Sequence, residues 1–367
     1  MNDFVEPRKI YAVATDPIYV GTGGYAIGRV DNTIVRDPTT NIPKIPGSSL
    51  AGTWRYYMAL KLQSYFKNEY KADRSKRAEK KDNISDLFNN APGWVTNLKH
   101  NRFAAIKCAG QDDRANQSFE DANKGNIDEK TGHCGRCIVC KTFGYSKSNQ
   151  SHQGLALFSD LNILFFPIST RIGVRWITSP MLLKAAEIKC GEKPSGDESI
   201  LVSDNTEGYL NLGWINFRIE ENKKTPEIPI PLSNFDKSQV IVVSDNIISQ
   251  IINANLEVRT SVSIDPLTGA AKKGALFTSE AIPRGTILYG NLRIMDKMAF
   301  GNYDDLPEKN LIFEALEDSR VFYETLGIGG MITRGFGRMK IHPFRDSAQN
   351  KNNEQSGQFP ESGDQNG

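Results

Sequence analysis

Short apolar runs separated by polar and glycine-rich breaks predict a chain that mixes strands and helices. Lys9–Gly21 ("KIYAVATDPIYVG") reads as a strand that turns at Asp16-Pro17, and "GTGGYAIGRVDN" (Gly21–Asn32) as a glycine-rich loop. Apolar or aromatic residues recur at Leu50, Trp54, Tyr57, Met58 and Tyr65, close to helical spacing. Ser48 and Ser49 stand just before them as N-cap residues, so a helix is expected from about Ser49. "FAAIKCAG" and "ALFSDLNILFFPIST" read as strands flanking a cysteine-rich segment. "VRWITSPMLLKAAEI" begins as a strand, and Ser179-Pro180 then opens a helix. Residues 191–208 read as a loop or insertion. "SQVIVVSDNIISQIINANLEVRTSVSID" gives strand, helix and strand, and "GALFTSEAIPRGTILYGNLRI" gives two strands about a Pro-Arg-Gly turn. "LPEKNLIFEALEDSRVFYETL" is helical, and "GIGGMITRGFGRMKIHPF" is a glycine-rich loop entering a last strand. The order is irregular, which favours α+β with antiparallel pairing over a doubly wound sheet.

At 367 residues the chain has room for two domains or one large domain with insertions. Lys and Arg number 45 against 43 Asp and Glu, so bulk charge does not draw it to nucleic acid and polyanion binding must rest on local patches. No apolar run reaches about eighteen residues, so no membrane span is expected, and the N-terminus does not read as a signal peptide. The charged run at residues 67–82 reads as a solvated helix face or loop, and the polar tail 345–367 as disordered.

Three of the five cysteines, Cys134, Cys137 and Cys140, lie in "HCGRCIVC". Without an export signal this clustering favours metal over disulfides, and thiolates at this spacing can converge on one tetrahedral Zn²⁺. Cys108 and His133 are the candidates for a fourth ligand. Cys108 is preferred, because His133 adjoins Cys134 and a Cys108 ligand would staple the polar excursion between them. A redox pair or an iron–sulfur cluster are alternatives, and four closed ligands would make the metal structural.

Two segments could meet an anion. The helix start at Ser48 and Ser49, with Arg55 inside the second turn, offers free N–H groups and a cation. "GIGGMITRGFGRM" brings Gly329, Gly330 and Gly335 together with Arg334 and Arg338. Glycines let backbone approach a phosphate and arginines donate to it. It follows a helix and precedes a strand, the reverse of a dinucleotide fingerprint. Asp37 precedes Pro38 and reads as a turn former, whereas Asp31 follows flexible glycines, where a carboxylate could reach solvent. Four histidines form no pair at useful spacing, and no nucleophile elbow or P-loop is present.

Taken in order, "GTGGYAIGRVDNTIVRDP", "KIPGSSLAGTWR", "CGRCIVCKTFG", "FFPISTRIGVRWITSP" with "SIDPLTGAAKKGALF", and "GIGGMITRGFGRM" resemble the RAMP superfamily of CRISPR-associated proteins, in particular the backbone subunits of type III effector complexes. The resemblance implies one domain over residues 1–344. It would be a modified RRM-like, ferredoxin-like palm with a zinc-binding insertion at about 104–145 and a β-hairpin thumb at about 256–290, including Arg259 to Leu288. It implies a structural zinc on Cys108, Cys134, Cys137 and Cys140. It also implies guide CRISPR RNA held by Ser48, Ser49, Arg55, Gly329, Gly330, Arg334, Gly335 and Arg338. Asp31 matches the loop aspartate that cleaves complementary target RNA with Mg or Mn. Other type III subunits and further copies of the chain would be partners, in the cytoplasm and away from membranes. A non-catalytic scaffold subunit is the alternative. A guide-processing endoribonuclease, which generally relies on a histidine base, is less well matched.

Overall fold

The computed structural model describes residues 5–23, 30–71, 76–77, 83–110, 133–147, 150–221, 225, 228, 230, 232, 235–300 and 305–344. The polar tail, most of the charged run, part of the first glycine-rich loop and the excursion at 111–132 lie outside them.

A large mixed sheet organises the α+β chain. Its strands run in the order β15 (Met339–Ile341), β1 (Val5–Ala14), β14 (Ile287–Met295), β6 (Leu161–Thr170), β7 (Gly173–Thr178), β11 (Val240–Val242), β8 (Ser199–Val202), β10 (Ile215–Ile219) and β9 (Tyr209–Leu212). Two short strands join at the side, β2 (Lys44–Ile45) on β6 and β5 (Ala156–Phe158) on β14. Most pairings are antiparallel, with β11 parallel to β7 and β10 parallel to β8. A small hairpin, β3 (Tyr145–Lys147) with β4 (Gln150–His152), follows the cysteine segment. The continuous apolar run in β6 is explained by burial on both faces: Ile163 and Phe166 enter one core, Leu164 and Phe165 the other.

The first of these cores is built on helix α1 (Gly47–Tyr65), which buries Leu50, Trp54, Tyr57, Met58 and Leu62. The helix Lys309–Ser319 meets it with Ile312, Ala315 and Leu316. Trp54 Nε1 donates to the Leu316 carbonyl at 3.1 Å and Ser319 Oγ at 3.2 Å, so its buried polar atom is satisfied. Each fully buried leucine here contributes about 1.5–3 kcal/mol relative to exposure.

The start of α1 differs from the sequence expectation. The helix begins at Gly47, and neither Ser48 nor Ser49 caps it with its side chain. Asp160 does that work from the neighbouring strand segment, its Oδ1 accepting from Gly47 N at 2.8 Å. A Cβ at Gly47 would lie 2.7 Å from the Phe158 carbonyl oxygen, so only glycine lets the helix approach so closely. Lys44 ties Asp160 (2.7 Å) to Asp37 (3.2 Å), and Asp37 Oδ1 accepts from Thr39 N and Thr40 N as a turn former. The Thr40 N–H leads the effects that hold Asp37 below the usual carboxylate range. Burial raises Asp160, and Lys44 with the Gly47 N–H outweighs it, leaving that carboxyl depressed too. Depressed carboxyls stabilise the fold above their unfolded pKa, about 4, and lose this as pH falls through the lower folded values. Thermal melts of Lys44→Met are therefore expected to be less steeply dependent on pH below about 4 than wild-type melts. Equal pH profiles would refute the network's role.

Two other segments depart from expectation. "FAAIKCAG" forms the 3₁₀ turn Ile106–Ala109 and follows another, Lys99–Phe103, in which Asn101 pins the bend by bonding to Trp94 O, Val95 O and Ile138 N. The stretch 191–208 contains the buried strand β8. The projecting hairpin is β12 (Glu257–Ile264) with β13 (Ala271–Ala281), paired from Glu257↔Ala281 to Ile264↔Ala271. It ends at Ala281, and Leu288 is buried in β14 of the large sheet.

A candidate nucleic-acid interface and metal centre

Asp31 sits at the base of the hairpin. Val30 and Ile34, both buried, anchor its segment, and Asn32 bridges in parallel to Ser279 of β13. Asp31 Oδ2 accepts from Thr278 N at 2.7 Å and Thr278 Oγ1 at 2.9 Å, and Asp31 N lies 3.1 Å from the same hydroxyl oxygen. The Thr278 N–H foremost, and then its hydroxyl, hold the carboxyl below its ordinary range, so it is ionised at neutral pH. Both donors bond Oδ2, and the side chain is exposed. An exposed anion at a fixed place can take part in holding a divalent cation.

The glycine-arginine loop packs beside this base. Met331 Sδ lies 4.0 Å from Ser279 Oγ, and the Arg334 guanidinium stands 5.9 Å from the Phe277 ring centre. Neighbouring side chains of a strand point to opposite faces, so Arg334 on Phe277 and Asp31 on Thr278 address different sides of β13. Among the described residues Arg334 has no carboxylate partner. Arg338 is ion-paired with Asp16, its Nη2 3.2 Å from Oδ1, so its charge is partly neutralised. Gly330 N donates to Tyr19 O at 2.9 Å, and a Cβ at Gly329 (φ +84°) would lie 2.1 Å from that oxygen. These two glycines allow the loop's close approach to Tyr19, and Gly329 remains exposed. Gly335 (φ +80°) is exposed, its carbonyl accepting from Arg259 Nη1 at 3.3 Å.

At the other candidate anion site, the Asp160 carboxylate already faces the start of α1. The N–H groups of Ser48 and Ser49 still lack intrahelical partners, and both residues are at least partly exposed. Arg55 turns elsewhere: its Nε donates to the Cys108 carbonyl at 2.8 Å and its Nη2 meets His133 Nδ1 at 3.0 Å.

Those contacts lead to the cysteines. Sγ of Cys108, Cys134, Cys137 and Cys140 all lie within 4.8 Å of one another, and Cys134 and Cys140 are 3.9 Å apart. A tetrahedron with Zn–S bonds of about 2.3 Å puts its sulfurs about 3.8 Å apart, so the four fit such an ion closely. His133 is outside this group of ligand atoms. Cys137 begins the helix Ile138–Phe143, which also carries Cys140, and Cys108 comes from the 3₁₀ turn Ile106–Ala109.

Local spacing exposed the cysteine triplet and the glycine-arginine loop, and the family resemblance singled out Asp31. Neither gave a signal for Thr278, 247 positions from Asp31, or for Asp160, 113 positions from Gly47. An ordinary polar position in a strand and a loop acid acquire their roles only through the fold.

A mixed-sheet α+β chain with a projecting hairpin and a four-cysteine centre is the class that this architecture defines. The chain belongs to the RAMP superfamily, whose sequence model matches residues 12–340. Over 104 residues it is 36% identical to the CRISPR system Cms endoribonuclease Csm3 of Streptococcus thermophilus. That match covers 28% of this chain and 37% of the relative, so the alignment spans little more than a third of the relative's length. Similar folds occur in the apo state of type III-B Cmr-beta, with a TM-score of 0.52, 17% identity, and 92% of this chain and 96% of that one covered. Cmr-beta bound to cognate target RNA gives 0.51, 16%, 93% and 98%. Oligomeric Cmr4 from Pyrococcus furiosus gives 0.50, 16%, 91% and 96%.

Proposed function

We propose that the chain is a guide-RNA-binding backbone subunit of a type III CRISPR effector, and that Asp31 takes part in cleaving target RNA paired to the guide. The observation that carries this is an exposed, ionised carboxylate clamped to the base of a projecting hairpin. The hairpin's end exposes apolar side chains, Leu267 at 94%, Leu276 at 65% and Ile264 at 63%. Such a wedge suits insertion between base pairs, splaying one nucleotide so that its 2′-hydroxyl can attack the adjacent phosphate in line. Mg²⁺ or Mn²⁺ beside Asp31 would stabilise the developing charge. The named endoribonuclease relative supports this reaction class, and the complexes and oligomer among the similar folds support further subunits and copies as partners. The four cysteines would hold a structural zinc.

A scaffold without cleavage is favoured by one observation: both Thr278 donors already engage Asp31. Cleavage of labelled complementary RNA by the assembled complex, with and without EDTA, separates the two readings.

The RNA backbone is expected to lean more on Arg334 than on Arg338, because Asp16 competes for Arg338. Arg334→Ala should weaken guide binding and reduce the slope of log affinity against log salt by about 1, without altering sequence preference. Unchanged affinity and slope would remove Arg334 from the interface.

A further inference from the structure

We propose that Arg55 is the positioning residue of the four-cysteine metal site, through which helix α1 holds the metal-bearing segment. The inference rests on the metal reading and is independent of target cleavage. The excursion that separates Cys108 from the triplet begins and ends at residues that Arg55 touches. At its start, Nε donates to the carbonyl of Cys108 itself at 2.8 Å. At its end, Nη2 meets Nδ1 of His133, the residue preceding Cys134, at 3.0 Å. His133 Nδ1 also lies 3.1 Å from the Cys108 carbonyl oxygen, so the imidazole and the guanidinium converge on the same carbonyl. One planar side chain thus fixes the two ends of the loop at the separation that lets Cys108 Sγ join the other three.

The base from which Arg55 reaches is rigid. Trp54, next to it on α1, is fully buried and hydrogen-bonded to the helix Lys309–Ser319, and Tyr57 bonds to the Gly327 carbonyl. Charge points the same way: four thiolates outweigh one divalent ion, and the guanidinium brings a compensating positive charge to the Cys108 carbonyl. A lysine offers a compact ammonium on a flexible stem and does not reproduce a fork aimed at two acceptors. The half-buried Arg55 is therefore directed at the metal loop, away from the phosphate role that its place near a helix start suggests.

The test compares zinc-loaded full-length wild type, Arg55→Ala and Arg55→Lys. Zinc transfer to a colorimetric chelator is timed, and the cadmium-113 resonance of cadmium-substituted protein reports the thiolate count. Arg55→Ala is expected to release zinc about 10–100-fold faster, as losses of supporting contacts at metal sites generally do, with Arg55→Lys in between. The salt slope of RNA binding by zinc-saturated Arg55→Ala should equal that of wild type. Release within twofold of wild type, or a slope reduced by about 1, overturns the proposal, the latter by returning Arg55 to the phosphates. If Arg55→Ala fails to fold, the release rate of Arg55→Lys decides. A wild-type chain that binds no metal overturns the metal site and this inference together, leaving the cleavage assay unaffected.

Discussion

Asp31→Ala is expected to abolish cutting of guide-paired RNA while leaving complex assembly and target binding nearly intact. The side chain is exposed, so its removal leaves no cavity in the core. Its Thr278 contacts lie at the surface, where water can replace them. What the substitution removes is a localised negative charge beside the hairpin and, in the function proposed above, the protein's share of a divalent-ion site. One carboxylate makes a thin site, so the RNA itself must supply further ligands, and metal dependence should appear only with target bound. A rate loss of about 10²-fold or more is expected. Asp37→Ala should behave differently: Asp37 binds Thr39, Thr40 and Lys44, and its loss costs stability with little effect on the cutting step. Regularly spaced cuts that persist in Asp31→Ala, or in EDTA, would eliminate this mechanism. An assembled wild-type complex that binds target and never cuts it would favour the scaffold.

Elements with a strong period were legible in the sequence. The spacing of Leu50, Trp54 and Tyr57 gave α1, and Ser179-Pro180 marked a helix whose Ser179 Oγ accepts from Leu182 N. What local pattern could not carry was direction and partnership. Arg55 stands near a helix start, as a phosphate ligand would, yet its side chain reaches along the helix to Cys108 and His133. Ser48 and Ser49 have cap chemistry, but β2 brings the chain in alongside Asp160, whose carboxylate reaches Gly47 first. In place of the strand expected at "FAAIKCAG" the chain forms a 3₁₀ turn, just after a bend that Asn101, a single buried polar side chain, holds from three backbone groups. The cysteine triplet declared itself by spacing, and the fold brings Cys108, the fourth ligand preferred from the sequence, from another segment to meet it.

Removing the metal is expected to lower the melting temperature by several degrees. The centre joins the turn Ile106–Ala109 to the helix Ile138–Phe143, both packed on α1, so an empty site loosens the wall that these segments form. Structural zinc in small peptides is worth about 10–16 kcal/mol at neutral pH; here the large sheet and its cores fold around the site, and the loss should be nearer about 4 kcal/mol. At roughly 2 °C per kcal/mol for a chain of this size, that is about 8 °C. The pH dependence has a definite sign. Burial raises the Cys137 and Cys140 thiols well above their ordinary value in the metal-free site, and the ion binds thiolates, so metal uptake releases protons. Stability conferred by the metal therefore falls as pH falls, and chelation should proceed faster at pH 6 than at pH 8. Cys137→Ser should reproduce the low melting temperature even with zinc in excess, because a hydroxyl is a poor ligand for this ion. Elemental analysis before and after chelation gives the occupancy against which the melts are read. A chain that carries less than about half a metal ion as purified, and melts at the same temperature with and without chelator, would show that four convergent cysteines here are only a buried cluster of thiols.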